Sequence, residues 1–267
     1  MITSPSNPRI RQVVQWQTKS RERDRDRVFV AEGLKMYWEA PEELIREVYV
    51  STELLRRLQQ SDASEREGAV WDKLLRTGYE EVTEDILLKI SDTRAPQGIV
   101  AVLRQPRYEL EDLLRKEPPL LVLVEQLQDP GNLGTILRTG EGAGITGVII
   151  GAGTVDPFSP KVIRATMGSI YRVPFVCVED SVAMLERLHG AGVRSYAAHL
   201  QGEDYYTGYS FREPTVFLIG NEGNGLSREL TEAASFRLKI PMEGEVESLN
   251  AGISAALLMY EAHRQRA

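Results

Sequence analysis

The strongest constraint on the fold lies in the second half of the chain, where six short apolar runs recur 20–30 residues apart. They are LLVLVEQ (120–126), TGVIIG (146–151), PFVCV (174–178), RSYAAHL (194–200), TVFLIG (215–220) and FRLKIP (236–241). Their hydrophobicity is continuous rather than alternating, which is the pattern of strands buried on both faces. Helical patterns such as NLGTILRTGEGA and VAMLERLHGAG separate most of them. Strands joined by helical crossovers form a parallel sheet with helices on both sides, so an α/β architecture is expected here.

The first hundred residues have a different rhythm. A helical stretch from Pro8 (IRQVVQWQTKSRERDRDR) leads into the strand VFVAEG and the helix GLKMYWEA, closed by Pro41. REVYVST and QGIVAVL read as further strands, and LLRRLQQ and WDKLLRT as helices. This predicts a smaller α/β/α domain over residues 1–104. The charged, proline-bounded segment 105–118 reads as a linker with a short helix, and the larger domain occupies 119–267. A length of 267 residues fits two domains.

Composition excludes several classes. With 42% hydrophobic and 27% charged residues the chain is an ordinary globular one. No apolar run reaches the roughly 18 residues of a membrane span, and the start MITSPSNPRIRQ lacks a signal-peptide core, so a cytoplasmic protein is expected. The single cysteine, Cys177, lies in an apolar run and is expected to be a buried bystander. His189, His199 and His263 lack metal-ligand spacing, and no metal is expected. Net charge is −7, yet residues 9–27 carry seven basic side chains against three acidic ones, a local +4. Such an arm is compatible with contact with phosphates, but on charge alone its R-E-R-D-R-D-R alternation better suits a solvated, self-paired helix.

In open parallel sheets ligands bind beyond the carboxyl ends of the strands. Three loops lie there: QDPGNLG, GNEGNG and PMEGEVESLN. Glycine carries no side chain and accepts positive φ, so such loops bring backbone groups close to a ligand. The spacing GAGITG ends a helix and precedes a strand, the reverse of a dinucleotide fingerprint, and Gly142 and Gly144 read as helix-end and turn residues. A P-loop and a Gly-x-Ser-x-Gly elbow are both missing from the sequence. A polar set remains: Asn132 and Arg138 on the helix after the first run, Glu222 in GNEGNG, and Ser248 and Asn250 before the last helix. Each also has a structural reading. Asn132 suits a helix cap, Glu222 a solvated turn, and Ser248 the N-cap of a helix whose core face is Leu249, Ile253, Ala256, Leu257 and Tyr260.

Taken together, DPGNLGTILRTGEGAG (129–144), LIGNEGNGLS (218–227) and IPMEGEVESLNAGISAALLMYE (240–261) resemble the three motifs of the SpoU (TrmH-like) branch of the SPOUT RNA methyltransferases. DPFSPKVIRATMGSIYRVP (156–174) is similar to the segment between the first two motifs. FVAEGLKMYWEA and TRAPQGIVAVL resemble the L30e-like substrate-binding domain of ribosomal-RNA members. The resemblance implies a sheet tied into a C-terminal trefoil knot, a homodimer, and S-adenosylmethionine as cofactor. It implies a cofactor pocket built from Ile219, Gly220, Asn221, Glu222, Gly223, Gly225, Ile240, Met242, Ser248 and Leu249.

The implied reaction is methyl transfer to a ribose 2′-hydroxyl of RNA, with ribosomal RNA favoured over transfer RNA. Arg138 then matches the family's catalytic arginine, with Asn132, Glu222, Ser248 and Asn250 completing the site. A guanidinium seldom gives up its proton, so binding phosphate and stabilising a developing alkoxide suits Arg138 better than acting as a base. Arg9, Arg11, Arg164 and Ser169 are further candidates for RNA contact, Arg164 being equally suited to a structural ion pair. Two other readings stand beside this one: a non-catalytic RNA-binding or ribosome-assembly factor on the same fold, and a nucleotide-binding enzyme on an ordinary open sheet.

Overall fold

The computed structural model describes residues 1–60, 64–200, 202, 204–245 and 248–267. Two units partition the chain: Met1–Pro106 with Asp156–Tyr171, and Arg107–Val155 with Arg172–Ala267.

In the first unit, Val28–Glu32 (β1), Ile45–Ser51 (β2), Glu80–Val82 (β3) and Ile99–Arg104 (β4) form a sheet in the order β1-β4-β2-β3. Strand β4 is antiparallel to both neighbours, and β3 runs parallel to β2. The short β3 was not foreseen, because EEV carries too little apolar character to register as a strand. The first helix, Pro8–Thr18, starts where Asn7 Oδ1 accepts from Arg9 N at 2.9 Å, with proline in the first turn. Its Ile10, Val13 and Trp16 face a core completed by Val28, Val30, Tyr49, Ile86, Leu87, Ile90, Val100 and Val102.

The charged arm continues as a second helix, Ser20–Asp26, and its ion pairs run both within the arm and to carboxylates outside it. Arg25 meets Glu22 and Asp26, while Arg9 meets Glu80 at 2.8 Å and Glu47 at 3.5 Å. Arg23 is buried, 4% exposed, donating to Trp16 O and pairing with Asp156. The segment Asp156–Tyr171 thus belongs to this unit's core although its neighbours in sequence belong to the other. Phe158 packs on Phe29 with ring centroids 5.2 Å apart, and Tyr171 donates to Met36 O at 3.0 Å.

In the second unit, Leu120–Val124 (β5), Gly147–Gly151 (β6), Phe175–Val178 (β7), Arg194–Ala198 (β8), Asp204–Tyr205 (β9), Thr215–Ile219 (β10) and Phe236–Lys239 (β11) form one sheet. The order is β7-β6-β5-β10-β8-β11-β9, and every pairing is parallel. β5, β6 and β10 are buried throughout, as their unbroken apolar runs require. From β5 the chain moves outward through β6 and β7, then returns to lay β10 on the other side of β5. That reversal puts the carboxyl ends of β5 and β10 side by side, the usual place for a ligand in such sheets.

Four expectations need correction. Cys177 is exposed, because β7 is an edge strand whose second half is incompletely covered. The segment 105–118 is more than a linker: Leu110 and Leu113 of its helix, Leu110–Leu114, enter the core beside Leu121 and Ile149. The last helix, Ala251–Arg266, is capped by Asn250, whose side chain accepts from Ile253 N at 3.2 Å, not by Ser248. Its buried face is Ala251, Gly252, Ala255, Leu258, Met259 and Ala262, whereas Ile253, Leu257 and Tyr260 are 51%, 37% and 49% exposed. Small residues win the inward face because they let this helix pack closely on the helix Pro130–Ala143. A β-carbon on Gly252 would lie 3.3 Å from Thr135 Cγ2 and 3.4 Å from Asn132 Oδ1.

Candidate functional site

The helix Pro130–Ala143 begins directly beyond β5. Asp129, rather than Asn132, caps it, accepting from Gly131 N at 2.6 Å, and Gly144 closes it at φ +76°. Gly142 lies inside its last turn. Asn132 is therefore released from capping, and it is buried at 6% exposure. Its Nδ2 donates to Glu222 Oε1 at 2.8 Å. The backbone N–H groups of Gln128 and Asp129 donate to the same carboxylate, each at 3.2 Å. Burial pushes the Glu222 carboxyl upward, but the Asn132 amide and the surrounding backbone N–H groups outweigh it, and the group sits below the usual carboxylate range. Glu222 is an ionised acceptor that joins the two loops rather than a solvated turn residue.

The loop after β10 folds on itself. Asn221 and Gly225 exchange two backbone hydrogen bonds of 2.9 Å, and Asn221 Oδ1 accepts from Gly223 N and Asn224 N at 2.8 and 3.0 Å. Asn221 Nδ2 reaches across to Gln126 O at 2.8 Å. A β-carbon at Gly220 would lie 2.1 Å from the Gly225 carbonyl carbon, so only glycine fits. Gly225, at φ +71°, faces open space, and Gly223 is equally exposed. The outcome is a wall of backbone bare of side chains, beside a fixed carboxylate and a buried amide.

The third stretch joins from the other side. Asn250 Oδ1 would stand 3.2 Å from a β-carbon on Gly252, the same point that Asn132 Oδ1 approaches at 3.4 Å. Ile240, Met242 and Leu249 are half-buried, Ser248 is exposed, and Val246 and Glu247 of this motif lie outside the described residues. Arg138 is exposed on the helix Pro130–Ala143 and, among the described residues, has no ion pair. Arg164 is exposed and paired with Asp92, while Ser169 is buried at 2% exposure and does not present a surface. The structure therefore brings Asn132, Glu222, Asn221 and Asn250 together and leaves Arg138 and Ser248 outward. Among the described residues no group of His, Cys, Asp and Glu is placed to hold a metal ion, and no helix is long and apolar enough to cross a membrane.

A parallel sheet with a glycine-rich loop at its reversal point defines an α/β protein with a candidate ligand site at the carboxyl ends of β5 and β10. Residues 119–260 match the SpoU rRNA Methylase family, and residues 7–101 match an MRM3-like substrate binding domain. The chain belongs to the SpoU rRNA methylase family. It is 30% identical over 261 residues to the Bacillus subtilis 23S rRNA (guanosine(2553)-2′-O)-methyltransferase RlmP, spanning 97% of each chain. It is 32% identical over 212 residues to a 23S rRNA (uridine(2479)-2′-O)-methyltransferase of Streptomyces viridochromogenes, covering 76% of this chain and 74% of that one. The crystal structure of an AdoMet-bound rRNA methyltransferase from Sinorhizobium meliloti superposes with a TM-score of 0.84 at 32% identity, covering 98% of this chain and 97% of that one.

Proposed function

We propose that this protein transfers the methyl group of S-adenosylmethionine to a ribose 2′-hydroxyl of ribosomal RNA. The observation that carries this reading is the bare backbone of Gly223 and Gly225, in a loop folded tight by Gly220 against Gly225, set against the Asn132–Glu222 pair. A wall without β-carbons fits a bent, extended cofactor lying along the main chain, with Ile219, Asn221, Ile240, Met242 and Leu249 lining the rest. When bound, the cofactor supplies an electrophilic methyl group. The chain's own residues must align the hydroxyl and accommodate the charge as its proton leaves.

Arg138 suits the second task. Exposed and without an ion pair among the described residues, its guanidinium is available to a phosphate and to the alkoxide developing beside it. Asn132, held by Glu222, and Asn250, held by its capping bond, give the pocket fixed polar groups, and Ser248 stands exposed at its edge, free to meet the cofactor or the RNA. In this reading residues 1–104 form an L30e-like substrate-binding domain, 105–118 connect it through a helix packed on the second domain, and 119–267, apart from the segment 156–171 that packs with the first unit, form a methyltransferase domain with a trefoil knot. Two copies pair through that domain in the cytoplasm, and Arg9, Arg11 and Arg164 contribute to RNA contact from exposed positions. The return of β10 between β5 and β8 supports the knot, and the exposed stripe Ile253, Leu257 and Tyr260 supports the dimer.

Incubation of the purified chain with methyl-labelled S-adenosylmethionine and either unmodified 23S ribosomal RNA or transfer RNA tests the assignment. Label entering ribosomal RNA is expected. Label entering transfer RNA alone would move the substrate class. A chain that binds the cofactor yet labels neither RNA nor ribosomal particles would count for a non-catalytic role.

A further inference from the structure

Both feet of the loop from Ile219 to Ser227 are fastened by one residue that the motif pattern does not single out. Glu125 directly follows β5. Its backbone N–H donates to Ile219 O at 2.9 Å, where the loop leaves β10. Its carboxylate accepts twice from Ser227, where the loop enters the helix Arg228–Ala233: Oε2 takes the backbone N–H at 2.8 Å and Oε1 takes the hydroxyl at 3.0 Å. Ser227 in turn caps that helix, its Oγ accepting from Leu230 N at 3.2 Å. Two donors on one carboxylate fix orientation as well as distance. Between the feet the loop has little freedom of its own, since Gly220 is jammed against Gly225 and Asn221 is bonded to Gly225 in both directions. A shift of either foot therefore moves the wall that Gly223 and Gly225 present.

We propose that Glu125 is a positioning residue for cofactor binding, holding the glycine loop in its receptive shape by stapling Ile219 and Ser227 without touching the cofactor. The proposal rests on the assignment of that loop as the wall of the S-adenosylmethionine pocket. A loop already in its bound shape spares the ordering cost of binding, so its loss weakens affinity and leaves the chemical step alone. Glutamine at this position retains one acceptor for the Ser227 N–H and turns its amide NH2 toward the hydroxyl, so it preserves most of the staple.

Calorimetric titration of S-adenosylmethionine into the full-length wild type, Glu125→Ala, Glu125→Gln and Ser227→Ala, with thermal unfolding and steady-state kinetics beside it, tests the idea. For Glu125→Ala the expected result is a rise of about tenfold in Kd and KM for the cofactor, with kcat at saturation within about threefold of wild type. Glu125→Gln should recover most of the affinity, and Ser227→Ala should fall between. A wild-type Kd in Glu125→Ala would overturn the proposal, as would a fall in kcat at unchanged Kd, which a purely structural role predicts. Should Glu125→Ala fail to fold, Ser227→Ala decides: a Kd raised about threefold supports the staple, and a wild-type Kd overturns it. Absence of binding by the wild type would be the separate failure of the cofactor assignment, and the proposal would fall with it.

Discussion

Asn132 and Glu222 illustrate how much of this site depends on which groups are already occupied. Asp129 takes over the capping of its helix, which frees Asn132 to donate to Glu222, and the backbone N–H groups of Gln128 and Asp129 help hold that carboxylate ionised. Replacing Glu222 by glutamine leaves donors facing donors, so the variant should be less stable and bind the cofactor more weakly. Because the folded value of Glu222 is lowered, its contribution is full above the ordinary glutamate value of about 4.3 and fades as pH falls through the lower folded value. Urea unfolding of wild type and Glu222→Gln across acidic pH should accordingly converge toward the acid end. Arg138→Ala should cut methyl transfer at least about a hundredfold while cofactor affinity stays nearly unchanged, which calorimetry and label transfer check together. The glycines and asparagines of the loops were legible in sequence because their chemistry is local. Glu125 was not, since its partner Ser227 lies 102 residues away and nothing in VEQLQ announces it.

Elements were legible where one pattern admits one fold and illegible where it admits two. The unbroken apolar runs of β5, β6 and β10 allow only a doubly covered sheet, and that is their place. The last helix is apolar on two sides. Periodicity pointed to the side with the larger residues, whereas close packing on its neighbour selected Gly252, Ala255 and Ala262. The arm 9–27 offered a similar choice between phosphate contact and self-pairing, and the described contacts match neither simply: Arg25 pairs within the arm, Arg9 pairs outside it, and Arg23 is driven inside. Its guanidinium satisfies the Trp16 carbonyl and the Asp156 carboxylate at once, so Arg23→Ala would strand a partly buried charge and a buried carbonyl. The expected cost is about 3 kcal/mol, read from the shift in urea midpoint at unchanged slope. A shift near zero would mean that solvent reaches these groups more freely than the packing implies.

Across the whole molecule, strand order is what sequence could not supply, because parallel pairing joins segments with no local signal between them. The reversal that sets β5 beside β10 also gathers three loops distant in sequence into one site. The same scale governs assembly. Ile253, Leu257 and Tyr260 form an outward apolar stripe on the last helix, and a charge placed there, as in Leu257→Asp, should convert the proposed dimer to monomers in sedimentation velocity with little change in the monomer's helix content. An unchanged sedimentation coefficient would remove the stripe from any interface. The central claim is ribose methylation, and alkaline hydrolysis of labelled ribosomal RNA tests it most directly. A methylated 2′-oxygen blocks cleavage of the adjoining phosphodiester, so the account predicts label in alkali-resistant dinucleotides. Label recovered in mononucleotides would mean base methylation and contradict it.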